Sequence, residues 1–326
     1  MKDNWKPACD VKQMRLRAKM LTNIRRFFEQ RAVLEVETPL LCSATGTDPQ
    51  LDFFSSFYHC APENKAMYLQ TSPEFAMKRL LAAGSGSIFQ ICKAFRNGEV
   101  GRFHNPEFSI LEWYRVDFTM DQLMNEVVEL ITELLGPDSD SGEVYKVSYV
   151  DVFKQATGLN PLDFCQLRYA EYAVNNDIKD AVSLCGDDHS MWLDFIFSYK
   201  VQATLERYSL AMVYGYPAIQ SSLARINSAD AAIADRFEVF IKGVEIGNGF
   251  CELSDASEQE KRFDQENQCR QKKGLPVVQK DMKFLQALHA GLPYCSGIAL
   301  GLDRLLMVMN NAQAIDDVIT FPFERA

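Results

Sequence analysis

The chain has 326 residues, 47% of them apolar, 24% charged and 11% aromatic, a composition that supports a large buried core and disfavours disorder. Its 34 Lys and Arg stand against 44 Asp and Glu, a net charge of −10. That balance argues against a broad grip on nucleic acid, which depends on cationic side chains displacing counterions. No apolar run of about 18 residues points to a membrane span, and the polar first ten residues lack a signal-peptide core. Nine scattered cysteines without a Cys-x-x-Cys pair suit reduced thiols in a cytoplasmic protein.

In chain order, Val11, Met14, Ala18, Leu21, Ile24 and Phe28 recur at spacings of three and four and predict an amphipathic helix over 11–31. Its other side carries Lys12, Arg15, Arg17, Lys19, Arg25, Arg26 and Arg31, as a solvated face or as a docking surface for an acidic partner. Residues 33–41 read as extended and Met67 to Gln70 as a short strand. Ser72-Pro73-Glu74 starts a helix, with Ser72 as N-cap, Pro73 first and Glu74 at the positive end, and Gly84 stops it. Strands are expected over 88–95 and 107–116. Thr119-x-x-Gln122 is a capping box opening a helix that Gly136-Pro137 closes. Residues 138–230 show helical patterns near 149–157, 166–176 and 188–206 and read as a helical insertion within one domain spanning 1–326. Arg236 to Leu253 forms a strand pair, Asp255-x-x-Glu258 caps a polar helix ending near Gly274, another helix covers 281–290, and Gly297 to Met309 runs from strand into helix. This order predicts an α+β fold with a mainly antiparallel sheet flanked by helices.

Three segments carry chemistry. In Phe95-Arg96-Asn97-Gly98-Glu99-Val100-Gly101-Arg102-Phe103-His104-Asn105-Pro106-Glu107-Phe108, Arg96 ends a strand while Arg102 and His104 occupy the return loop. This cationic hairpin suits an anion such as a triphosphate; the alternative is an Arg-rich surface turn. Alternation places Phe108, Ile110, Glu112 and Tyr114 on one strand face, where Phe108 can stack on a flat base. In the second segment, Lys242-Gly243 fits a two-residue turn that sets Phe240 opposite Glu245 and Glu238 opposite Gly247. Glu238 and Glu245 then share a face and call for a cation, Mg²⁺ on a phosphate, unless the hairpin is simply acidic and exposed. Glu252 lies an odd seven positions beyond Glu245, so a bulge at Gly247-Asn248-Gly249 is expected to return it to that face. In the third, Gly297, Ala299 and Gly301 leave one strand face bare, and Arg304 follows in the first turn of a helix. Close helix–strand packing is the alternative there.

Together these segments resemble the class II aminoacyl-tRNA synthetases. Phe95-Arg96 through Phe108 resembles motif 2, Gly297 to Arg304 motif 3, and residues 24–41, ending at Pro39, the dimer-forming motif 1. Glu245-Ile246-Gly247-Asn248-Gly249-Phe250 with Glu252 is similar to the lysyl subgroup. The resemblance implies a six- or seven-stranded antiparallel sheet, a homodimer, and ATP as a substrate used with Mg²⁺ to make an aminoacyl-adenylate. It implies that Arg96, flanked by Asn97 and Gly98, holds the α-phosphate and substrate carboxylate, and that Arg102 and His104 bind the outer phosphates. Asn105 would contact adenine, stacked between Phe108 and Arg304, with Gly301 and Ile246 lining the nucleotide. Glu238 and Glu245 would ligate the metal. Glu74, set beside Ser72 and Pro73, would bind the substrate amino group, Tyr114 and Glu252 the distal ammonium of a lysine-like side chain, and Asn248 the substrate end.

Three departures bear on the substrate. Position 98 is Gly where the motif has Glu, so Glu99 or the backbone at Gly98 takes that place. Position 299 is Ala where lysyl-tRNA synthetases have Gly, and the extra methyl reshapes the amino-acid pocket. The resemblance starts almost at Met1, so no N-terminal anticodon-binding β-barrel is expected. That combination is similar to the truncated lysyl-synthetase paralogues that modify elongation factor P. It implies activation of (R)-β-lysine or lysine and transfer to a lysine ε-amino group of that protein, with no tRNA and no membrane involved. The helix at 11–31 and Arg270, Lys272 and Lys273 are the candidate docking surfaces. A truncated enzyme charging tRNA or a small amine, and a non-enzymatic pseudo-synthetase, are the competing readings.

Overall fold

The amphipathic stretch after Asp10 forms α1 (Val11–Glu29) in the computed structural model of the chain, which describes residues 5–60, 62–136 and 144–326. Asp10 Oδ1 accepts from Gln13 N at 2.8 Å and so satisfies one unpaired first-turn N–H. After α1 come β1 (Leu34–Glu35), β2 (Leu41–Cys42), β3 (Ser55–Cys60), β4 (Glu63–Leu69), α2 (Glu74–Ala82), β5 (Ile88–Phe95) and β6 (Glu107–Val116). Strands β2, β4 and β3 make a small antiparallel sheet, of which the sequence reading anticipated only the end of β4.

A second compact unit, Thr119–Leu253, interrupts the first, which is Met1–Phe118 with Ser254–Ala326. The second unit contains α3 (Met120–Leu135), β7 (Tyr145–Ser148), α4 (Tyr149–Thr157), α5 (Gln166–Asn175), α6 (Lys179–Cys185), α7 (His189–Ile196), a π-helical turn at Phe197–Val201, α8 (Gln202–Leu205), β8 (Ala211–Pro217), β9 (Ile233–Ile241) and β10 (Val244–Cys251). The chain then re-enters the first unit with α9 (Ala256–Lys272), α10 (Met282–Gly291), β11 (Cys295–Gly301) and α11 (Leu302–Met309). Among the described residues no helix is long and apolar enough to cross a membrane.

In the first unit the strand order is β1-β5-β6-β11, antiparallel except for the parallel β1–β5 edge. One face of this ladder packs on α1: Phe28 stacks on Phe89 at 4.5 Å and meets Trp113 edge-on at 5.3 Å. Losing that buried ring would cost about 3–5 kcal/mol. The opposite face carries Ile88, Gln90 and Cys92 of β5, Ile110, Glu112 and Tyr114 of β6, and Gly297, Ala299 and Gly301 of β11, because ladder partners share a face.

In the second unit the order is β10-β9-β8-β7, with only β7–β8 parallel. Its core joins Val147, Ala211, Val213 and Phe240 of the strands to Tyr149, Phe153, Trp192 and Ile196 of the helices. The α+β, mainly antiparallel expectation therefore holds. Eight strands lie in these two ladders, however, against six or seven expected. Residues 138–230 are not helical throughout: they contribute β7, only four residues long, and β8, which is apolar on both faces and gives no alternation to read. Pro137 and residues 138–143 lie outside the described residues.

The Lys242-Gly243 turn forms as expected, with φ of +48° and +77°. At Gly243 a Cβ would also sit 2.7 Å from Glu206 Cγ, so glycine is required there twice over.

Candidate active site

In the first unit, β5 and β6 pair up to Phe95 and Glu107, and Arg96 N then donates to Pro106 O at 2.9 Å. The return loop closes on a bridge between Gly101 and His104. Gly98 has φ +76°, a left-handed conformation that explains Gly where the motif has Glu. Glu99 lies next to it, its Oε1 3.8 Å from Arg96 Nη1. The Arg96 guanidinium stands 5.1 Å from the Phe108 ring, and its buried Nε has no hydrogen-bond partner among the described residues.

Helix α11 brings Arg304 onto this hairpin. Arg304 Nε donates to Phe103 O at 3.1 Å and Nη2 lies 2.6 Å from His104 Nε2. Arg102 Nε donates to Gln313 O at 2.8 Å. Four of the expected nucleotide residues, Arg96, His104, Phe108 and Arg304, thus belong to one hairpin and the helix docked on it. Asn97 Nδ2 donates to Asp52 Oδ2 at 2.8 Å, which ties the hairpin back to the preceding loop. Asn105 departs from expectation. It is buried, with Nδ2 donating to Glu107 O at 2.5 Å and Oδ1 accepting from Phe323 N at 2.9 Å. Both ends of its amide hold backbone, so the side chain braces the loop.

Sequence reasoning assigned no role to Asp303, which fixes the start of α11. It is buried, accepts from Ser109 N through Oδ2 at 2.5 Å, and forms an ion pair with Arg17 of α1. Gly301 and Asp303 bracket the strand-to-helix junction that places Arg304; the signal was an acid in the first turn.

The glycine-lined face holds the second cluster. Glu112 is 2% exposed and receives two hydroxyl donors: Ser72 Oγ on Oε2 at 2.7 Å and Tyr114 OH on Oε1 at 2.6 Å. Ala299 lies directly opposite it on β11, so the methyl at 299 sits beside a buried carboxylate. Ser72 also accepts from Glu74 N at 3.1 Å, but α2 begins one residue later than expected, at Glu74, with Pro73 in the N-cap place and Ser72 just before it. Glu74 is bound by Lys78, whose Nζ lies 2.6 Å from Oε1, and Lys78 is itself buried. Sequence alternation placed Glu112 on this face and missed its use, because its partner Ser72 is 40 residues away.

In the second unit, Phe240 pairs with Glu245 as expected, but Glu238 pairs with Asn248, not Gly247. The bulge falls between Glu245 and Gly247, at Ile246, earlier than the Gly247-Asn248-Gly249 expected. Its consequence is the one anticipated: Asn248, Phe250 and, through a bridge to Ala224, Glu252 follow on the face of Glu238 and Glu245.

Glu238 accepts from Arg236 Nη2 and Tyr216 OH, each at 2.6 Å, and Arg236 Nε reaches Asn248 Oδ1 at 3.2 Å. Burial drives the Glu238 carboxyl up to about 7; Arg236 opposes this and Glu245 adds to it. Each Glu238 oxygen retains a second lone pair, and a nearby second carboxylate raises the local demand for positive charge. The pair fits a hard cation such as Mg²⁺. Among the described residues no group of three or more His, Cys, Asp or Glu is placed to hold a metal, so other ligands would come from a phosphate or water.

The expected basic docking surfaces contract. Arg270 is buried, donating to Pro276 O and Asp48 O at 2.8 and 2.9 Å, and Arg17 belongs to Asp303. Lys12, Arg15, Lys19, Arg25 and Arg26 remain exposed on α1.

A family profile described as tRNA synthetases class II (D, K and N) matches residues 10–325. Among curated relatives, the elongation factor P–(R)-beta-lysine ligase of Pasteurella multocida is 45% identical over 326 residues, 99% of each chain. The proteins of the same name from Avibacterium paragallinarum and Pectobacterium carotovorum subsp. carotovorum are 44% and 46% identical, over 99% of this chain and 98% of theirs.

Proposed function

The chain belongs to the class II tRNA synthetase family (D, K and N), and we propose that it is an ATP-dependent ligase that activates (R)-β-lysine and transfers it to a lysine ε-amino group of elongation factor P. One observation carries the substrate class. A buried carboxylate, Glu112, is held by two hydroxyls on a face whose β11 part carries only Gly297, Ala299 and Gly301, an arrangement that takes a slender ammonium-bearing chain. The acceptor protein rests on the full-length likeness to ligases of that name.

In the first step a substrate carboxylate oxygen attacks the α-phosphorus of ATP. The bond to the bridging oxygen breaks and pyrophosphate leaves. Such chemistry asks mainly for positioning and charge neutralisation. Arg96, whose Nε has no hydrogen-bond partner among the described residues, would hold the α-phosphate and the carboxylate. Arg102 and His104 would exchange Gln313 O and Arg304 for the outer phosphates, and Arg304 and Phe108 would flank adenine. Glu74 would take the amino group next to the reacting carboxylate. In the second unit, Glu238 and Glu245 would hold Mg²⁺, which supplies charge neutralisation to a phosphate, and Asn248 and Glu252 would take polar ends of the amino acid. In the second step the acceptor ε-nitrogen attacks the carbonyl carbon, the C–O bond to AMP breaks, and an amide forms with loss of a proton to solvent. We place the enzyme in the cytoplasm as a homodimer.

The test combines pyrophosphate exchange, run with each lysine isomer, and mass spectrometry of elongation factor P after incubation with enzyme and ATP. Exchange with (R)-β-lysine and a matching mass gain on the factor are expected. Exchange without mass gain would remove the acceptor, and aminoacylation of tRNA in its place would favour a charging enzyme. No exchange with any lysine isomer would remove the ligase reading.

A further inference from the structure

Gln90 lies on β5 directly opposite Glu112, which has Ala299 as its partner on the other side, so Gln90, Glu112 and Ala299 form one row across three strands. Gln90 is 2% exposed. Gln70 Nε2 donates to the neighbouring Cys92 thiol at 3.4 Å. Gln90 Oε1 is buried and accepts no hydrogen bond from any described residue.

A buried acceptor without a donor is costly, and an apolar side chain would serve this position as Ile88 serves the next one on the same face. The neighbouring hydroxyls do not relieve it. Ser72 and Tyr114 each have one proton to give, and both are directed to Glu112. The row therefore sets a neutral carbonyl acceptor beside a carboxylate, with side chains starting about 5 Å apart. A primary ammonium brings three donors on one atom and satisfies two adjacent acceptors at once. An amide in this position supplies the second acceptor without a second negative charge, which would repel Glu112 when the site is empty.

We propose that Gln90 is a specificity-determining residue of the amino-acid pocket, its Oε1 accepting one proton of the substrate's distal ammonium beside Glu112. This rests on the reading of the enzyme as a lysine-isomer ligase, and it adds the residue that distinguishes a diamino acid from its monoamino analogue.

The test is pyrophosphate exchange by wild type, Gln90→Met and Gln90→Glu, with (R)-β-lysine and with 3-aminohexanoic acid, which lacks only the terminal amine. Gln90→Met keeps length and volume and removes the acceptor. It is expected to raise KM for (R)-β-lysine about 10- to 100-fold while leaving KM for ATP within about twofold. It should leave the monoamino acid unaffected. Gln90→Glu restores an acceptor but sets a second carboxylate against Glu112, and should recover only part of the loss. Should Gln90→Met fail to fold by thermal denaturation, Gln90→Leu gives the same comparison. An unchanged KM for (R)-β-lysine, or an equal loss with both acids, overturns the proposal, since a merely structural amide would affect the two alike. If wild type exchanges with no lysine isomer, the parent reading falls and takes this one with it; a wild type that exchanges and a Met variant indifferent to the terminal amine refutes Gln90 alone.

Discussion

Removing the phenolic hydroxyl of Tyr114 is the sharpest available probe of the amino-acid face. Tyr114 OH donates to Glu112 Oε1 at 2.6 Å inside the fold, and Ser72 holds the other oxygen at 2.7 Å. A hydrogen bond from a neutral hydroxyl to a buried carboxylate is worth about 1.5–3 kcal/mol. Tyr114→Phe leaves the ring in place, so the loss is this bond and not a cavity. Two effects then compete at the substrate. A less satisfied carboxylate attracts an ammonium more strongly, but a carboxylate held at one oxygen is free to rotate about that contact. Orientation should win, because binding an ammonium against a fixed strand face needs the carboxylate plane within about half an ångström. The expected result is a fall in kcat/KM for (R)-β-lysine of about 10- to 100-fold in pyrophosphate exchange, with KM for ATP unchanged. A drop of about 3–12 °C in melting temperature should accompany it, at roughly 2–4 °C per kcal/mol for units of this size. If the melting temperature falls and KM for the amino acid does not move, Glu112 is a structural carboxylate and the assignment of this face to substrate is wrong.

Glu266 offers a pH test. Burial holds its carboxyl up to about 7 from an ordinary value of 4.5, offset in part by the hydroxyl of Thr47. Between those values the native chain keeps a proton that the unfolded chain has released, so stability falls as pH rises through the window, by at most about 3 kcal/mol. Glu266→Gln should flatten that slope in urea titrations at pH 5 and pH 8 and be the more stable protein at pH 8; an unchanged slope would contradict it. Ala299→Gly removes the methyl beside Glu112 and should shift the ratio of kcat/KM between α-lysine and (R)-β-lysine about tenfold or more, the usual scale for one carbon in a close pocket. A constant ratio would show that position 299 does not shape the pocket. Gly243→Ala combines φ +77° with a 2.7 Å approach to Glu206 and should destabilise by about 2 kcal/mol or more, whereas Gly98→Ala, with φ +76° and open space, should lose only about 1 kcal/mol. Equal losses in denaturant titration would mean that the contact at Glu206 relaxes freely.

Elements written in local signals were the legible ones. The buried stripe of α1 keeps only Ile24 and Phe28 of the expected set and adds Met20 and Phe27, with Val11 exposed, whereas the caps at Asp255 and Thr119 depend on residues within one helical turn and appear where the spacing places them. The strands at 88–95 and 107–116 keep their expected limits for the same reason. What escaped is non-local. The extra residue in β10 sits at Ile246 because of how that strand runs against β9, and no property of Gly247-Asn248-Gly249 alone decides the position. Asn105, expected to contact adenine, has its carbonyl used by Phe323 N, 218 residues away. Arg270, read as a surface cation, is buried by the loop that contains Asp48.

The first unit distributes its chemistry unevenly between rigid and yielding backbone. Glu112 and Tyr114 stand on β6, which is paired on both sides, Ala299 stands on β11 in register with Glu112, and Ser72 is pinned by two hydrogen bonds. Arg102 and His104 stand on an exposed loop closed by a single bridge, and both must release a present partner to reach a phosphate. Discrimination between amino acids that differ by one carbon needs a pocket that does not adapt. A triphosphate, with charge spread over many oxygens, tolerates and rewards side chains that swing in. It follows that substitutions in the ladder should act on amino-acid preference with little effect on ATP, while substitutions in the hairpin loop should lower the rate for every amino acid alike.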